Sequence, residues 1–193
     1  MRILIAVLIL IFSIQSFIKA DDITDLEIEG ISIGVSLLKL MKKSEIKSDM
    51  DQLYKSKKFS TVAYYDSDIY DMVQFSFLTS DDKFIVYDIE GKLFFDNNIE
   101  NCKKKQKQVS DSIKEIVGSY TEYYPLQKQI RKADPSGKSG MYAEAFLFND
   151  KWSMVQIYCT KWGKDFKKDG RKDELKVSIW SETFSKFLEY EAY

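Results

Sequence analysis

Three groups of residues have the types and spacing to do chemistry. Asp66, Asp68 and Asp71 place three carboxylates close together, as a calcium loop does. A loop of the EF-hand kind starting at Asp66 would need an oxygen ligand at position 70 and glycine at 71. Tyr70 and Asp71 stand there, so the spacing favours a solvated turn. Ser136-Gly137-Lys138-Ser139 contains the Gly-Lys-Ser of a phosphate loop. The complete motif has a second glycine five residues before Gly137, where this chain has Lys132. Without it the backbone amides cannot wrap a phosphate in the usual way. Paired carboxylates can run glycoside hydrolysis, but with 30 acidic residues spacing alone singles out no pair.

Histidine is absent, which removes Ser-His-Asp and Cys-His catalysis and most catalytic zinc sites. No catalytic residue, metal ligand or cofactor is therefore assigned, and a ligand-binding site is left open. Cys102 and Cys159 are the only cysteines. Cys102 falls on the apolar stripe of a predicted helix, and Cys159 shares a strand face with Val155 and Ile157. Both then point into one core, and an even count in an exported chain implies a structural disulfide. A bridge over so long a loop would contribute about 4 kcal/mol.

The lysine run Lys103, Lys104, Lys105 and Lys107 suits anionic lipid headgroups, or simply a solvated helix face that continues to Asp111 and Glu115. Aromatics make up 15% of the chain. Tyr64, Tyr65, Tyr120, Tyr123, Tyr124 and Trp162 fall beside predicted loops or strand ends, as rings of a sugar- or peptide-binding surface would.

These groups need elements to position them. Met1-Arg2 followed by the apolar run Ile3 to Ile14, with Ala20 before Asp21-Asp22, has the layout of a cleavable signal peptide over residues 1–20. Residues 21–193 then form a single globular domain, large enough to bury its own core. Leu26 to Ile33 reads as a short strand. Ser36 caps a short helix over Leu37 to Met41, and a second holds Ile46, Met50, Leu53 and Tyr54 on one face. Strands follow at Thr61 to Tyr65, Val73 to Phe77, Phe84 to Ile89 and, after a turn at Glu90-Gly91, Leu93 to Phe95. The longest helix runs from an Asn97 or Asn98 cap to Gly118. Ser119 to Gly140 reads as a loop punctuated by Pro125 and Pro135. Three further strands, from Met141, Lys151 and Glu174, and a short closing helix from Phe184 complete the chain.

The implied fold is α+β: one antiparallel sheet of two hairpin sets packed against a long helix, with short N- and C-terminal helices. Its other face is expected to be partly wet. The whole chain carries 29 basic and 30 acidic residues, and removal of the leader leaves 27 against 30. Such a balance argues against a nucleic-acid partner.

The stretch Glu27-Ile28-Glu29-Gly30-Ile31-Ser32-Ile33-Gly34-Val35-Ser36-Leu37-Leu38 resembles the opening of an uncharacterised family of small exported proteins from AT-rich marine alphaproteobacteria. The resemblance implies export and an α+β fold, with no known activity and no site residues. The expectation is thus a periplasmic or secreted, non-catalytic binding module for a protein or small-molecule ligand. The rivals are an exported hydrolase using paired carboxylates and an envelope protein that keeps its leader as an anchor.

Overall fold

The structure is a computed structural model that describes Ala20 and residues 22–96, 98–117, 122–130, 134, 136–168 and 170–193. The signal peptide except for Ala20, the Asn97 cap, the Gly118 stop, Tyr120, Lys132 and Pro135 lie outside the described residues. The chain runs β1 (Glu27–Ile28), β2 (Ile31–Ser32), α1 (Lys43–Asp49), β3 (Phe59–Tyr64), β4 (Met72–Leu78), β5 (Val86–Phe95) and α2 (Ile99–Val117). It continues with β6 (Glu122–Ile130), β7 (Gly140–Leu147), β8 (Met154–Lys161), α3 (Lys164–Lys168), β9 (Asp173–Trp180) and α4 (Glu182–Tyr190).

Seven strands form one antiparallel sheet in the order β3-β4-β5-β9-β8-β7-β6. The two hairpin sets meet where the last strand, β9, pairs with β5. The fold is α+β, as the strand grouping implied. Alternation sorts the side chains of each strand onto two faces. One face presents Phe75, Ile89, Val155, Ile157, Cys159, Leu175, Val177 and Ile179, all buried in a single core. The long helix α2 covers the β8–β9 half of this face with Cys102, Val109, Ile113 and Val117. The N-terminal segment supplies Leu26, Ile28, Ile31, Leu37 and Ile46 to the same core.

Cys102 and Cys159 are bonded, with their Cα atoms 5.9 Å apart, and tie the first turn of α2 to β8. Four residues on, the Gln106 amide donates to the Tyr142 and Ile157 carbonyls at 2.8 and 3.0 Å. The helix is thereby fixed to the sheet by a covalent bond and by two hydrogen bonds made out of water.

The other sheet face is polar, yet its centre is not wet. Ser76, Asp88 and Ser178 are at most 1% exposed. At one end of this face Phe184 and Phe187 of α4 pack on Phe59, with Tyr54 closing the cluster.

Other expectations need correction. Glu90-Gly91 is no turn, because β5 runs straight through it. Cross-strand partners on both sides hold it there, Val73 and Gln74 on β4, Val177 and Ser178 on β9. Glycine is required at 91 for another reason: the Tyr70 ring lies on it, and a Cβ there would sit 2.4 Å from the ring. Gly91→Ala is expected to lower stability by about 2 kcal/mol through overpacking, roughly 5 °C in melting temperature. A thermal melt checks this, and an unchanged midpoint would mean that the ring gives way freely.

The stretch read as a loop before Gly140 contains the edge strand β6, whose every residue is exposed. It lacks apolar alternation for that reason. Pro125, at the register shift between Tyr124 and Gln127, removes one donor from the edge, as edges that resist further pairing do. Leu37–Lys39 is a single 3-10 turn, and Met50 and Leu53 lie beyond the end of α1 with their side chains exposed. The first expected helix is reduced to that turn, and the second ends before Met50. The charged stretch after Trp162 contains the short helix α3.

Candidate functional site

A hairpin creates the cleft that we regard as the candidate site. Ile28 pairs with Ile31, leaving Glu29-Gly30 as a two-residue loop. Both loop residues have positive φ, 55° and 71°, the mark of the turn type that matches the twist of its strands. Glycine adopts that backbone freely, whereas glutamate there is strained. Ser67 steadies it by donating its hydroxyl to Glu29 Oε1 at 2.6 Å. The same oxygen of Ser67 accepts the Ile69 and Tyr70 amides, which places Tyr70 over Gly91.

Between this hairpin, α2 and the sheet lies a cavity of about 50 Å³, opening into a mouth that brings the empty space to about 610 Å³. Its walls are Leu26, Ile28, Ile69, Val109, Ile113, Val155, Val177 and Ile179, with Tyr70 among them and Glu27, Glu29 and Ser112 as its polar residues. Tyr70 is 8% exposed, and no hydrogen bond reaches its hydroxyl among the described residues. Burial, and then the charge of Glu29, push that hydroxyl up to about 12. The site is therefore an apolar slot with one unengaged hydroxyl and two carboxylates.

A second arrangement, on the opposite sheet face, was not visible in the sequence. Asp88, Glu90 and Lys92 alternate along β5, and register brings Lys176 opposite Lys92 and next to Tyr158 of β8. Lys176 lies 2.9 Å from Glu90 and Lys92 lies 3.5 Å from it. Gln74 accepts from Lys92 at 3.0 Å, and Ser76 donates to Asp88 at 2.6 Å. Burial, then the neighbouring Glu90, holds Asp88 well above the usual carboxylate range. Burial raises Glu90 too, but the charges of Lys176 and Lys92 outweigh it and hold its carboxyl below the ordinary value. Asp88 Oδ1, Ser178 Oγ and Trp180 Nε1 remain buried without partners on neighbouring positions of this face.

The residues singled out in the sequence are dispersed. Asp71 accepts the Phe94 amide at 2.6 Å, closing the edge between β4 and β5. Among the described residues no group of three His, Cys, Asp or Glu side chains converges to hold a metal. In the Gly-Lys-Ser loop, the Asp134 carboxylate already fills the place of an anion. It accepts from the Ser136 amide at 2.9 Å and the Ser139 amide at 2.7 Å. Hydrogen bonds from the Ser136 and Ser139 side chains lead the causes that lower Asp134 to about 2.

Of the lysine run, Lys103 lies over the Tyr142 ring and Lys107 pairs with Asp111. Tyr64 and Tyr123 stand on strands at opposite edges of the sheet, about 29 Å apart for six strand spacings. Tyr123 donates to Glu144, and Trp162 is buried with Phe166 and Arg171 stacked against it. Among the described residues, these aromatics thus make no common surface.

No protein-family model, curated protein or solved structure matches the chain. Its disulfide agrees with an oxidising compartment. No helix among the described residues is long and apolar enough to cross a membrane.

Proposed function

We propose that this chain is an exported, non-catalytic binding module that receives an apolar group of its ligand in the cleft between α2 and the β1–β2 hairpin. The observation that carries this reading is the cleft itself, an apolar recess in the wall of the core. A recess of about 50 Å³ is small beside the pockets that enclose drug-sized molecules, which run from about 300 Å³ upward. It suits the end of an alkyl chain or a single apolar side chain. Export is supported by the disulfide, by the leader-like first twenty residues and by the resemblance to small exported proteins.

The carboxylate-hydrolase reading finds its best pair in Asp88 and Glu90, whose acidities are driven apart as acid–base work requires. Against it, Asp88 is 1% exposed and Glu90 is engaged by two lysines. The neutral probe 1-octanol tests the binding reading. In methyl NMR spectra it is expected to shift Ile28, Val109, Ile113 and Ile179 saturably. Ser112→Phe, at the half-buried rim, should block the effect. Absence of saturable shifts overturns the cleft reading. A glycosidase turnover that disappears in Asp88→Asn would replace it with the hydrolase.

A further inference from the structure

The charged groups lining the cleft have one sign. Glu27 and Glu29 line it. Tyr64 reports two more acids close by: after burial, the charges of Asp66, Glu29 and Asp68 push its hydroxyl up. None of these four carboxylates enters an ion pair among the described residues.

Two lysines of α2 are turned elsewhere. Lys103 and Lys114 lie over the Tyr142 and Tyr123 rings, 4.0 and 4.4 Å from their centroids, on the β6–β7 side of the helix. The cleft takes the other side, through Val109, Ser112 and Ile113. Ser67 occupies only Oε1 of Glu29 and leaves Oε2 without a partner among the described residues. The Tyr70 hydroxyl, on a ring that is 8% exposed, is unengaged as well.

A negative charge and a hydroxyl acceptor beside an apolar slot are complementary to one chemistry, a protonated amine at the end of a short alkyl chain. The N–H groups would donate to Glu29 Oε2 and the Tyr70 oxygen, as charge-assisted hydrogen bonds, while the methylenes enter between Val109, Ile113 and Ile179. An anionic amphiphile would meet repulsion at the same mouth.

We infer that the cleft between α2 and the β1–β2 hairpin is a receptor for small aliphatic amines, held through Glu29 and Tyr70. This rests on the cleft reading above. It also explains why glutamate stands at a φ of 55°, where asparagine or glycine would be less strained.

The test uses three probes of one chain length at pH 7, below their micelle concentrations: n-octylamine, 1-octanol and octanoate. Binding to the full protein is followed by the methyl shifts of Ile28, Val109, Ile113 and Ile179. The amine is expected to bind about tenfold tighter than the alcohol, and octanoate more weakly than either. Glu29→Gln should remove the preference, so that amine and alcohol bind the variant about equally. Glu29→Asn should do the same while raising the melting temperature, because asparagine tolerates the left-handed backbone. Equal binding of amine and alcohol, or a preference that survives Glu29→Gln, overturns the inference and leaves the cleft reading standing. If none of the three probes binds, both fall together.

Discussion

Lys176→Met is expected to destabilise the protein by about 3–5 kcal/mol, because it leaves a buried carboxylate without its main partner. That is a large share of the roughly 5–15 kcal/mol that holds a domain folded. Lys176 is the cation nearest Glu90, at 2.9 Å, with both side chains little exposed. In the variant Glu90 would keep only Lys92 at 3.5 Å, beside Asp88 on the same strand face. The melting temperature should fall by about 10 °C.

The pH dependence separates this cause from lost packing. In the native protein Glu90 is held below its ordinary value. It therefore contributes stability at neutral pH that is lost as pH falls through its ordinary range and below. In the variant Glu90 would instead be raised by burial, and its proton would be bound more tightly folded than unfolded. The deficit should then shrink as pH falls from 7 towards 4.5. Glu90→Gln added to Lys176→Met should recover part of the loss at pH 7. A deficit that does not change with pH would mean that Lys176 acts through its methylenes alone.

The second large effect is that of the disulfide. It spans 57 residues, for which loop entropy predicts about 4 kcal/mol. Cys102→Ala with Cys159→Ala should lower the melting temperature by about 10 °C. Both sulfurs are fully buried, so a reductant should act slowly on the native protein and quickly once it is partly denatured. Gln106 and the apolar stripe still hold α2 in the variant, which is expected to fold with the same helix content. A midpoint unmoved by the double substitution would show that these contacts alone fix the helix.

Residues with strong local signals were legible. The stripe Cys102, Val109, Ile113, Val117 repeats at helical spacing because one side of α2 meets the sheet along its whole length. Val73, Phe75 and Phe77 alternate because one face of β4 is apolar core. The disulfide followed from placing each cysteine on such a face. The strand β6 was not legible, since an edge strand exposed on both faces has no burial to print a pattern on its residues. The turn assigned to Glu90-Gly91 failed because the glycine makes room for Tyr70, twenty-one positions earlier in the chain.

The site shows the same division more sharply. Nothing local to Glu29 or Tyr70 marks either of them, and Glu90 was hidden in a stretch that reads as a turn between two strands. By itself the sequence determined the class of fold, the long amphipathic helix, the cysteine pair and the absence of histidine chemistry. Each of those depends on residue identity or on spacing within one element. Only the tertiary structure decided which carboxylates meet lysines and which are left facing a cleft. Charge pairing and cavities arise between elements far apart in the chain, where register and packing set distances that no local pattern encodes.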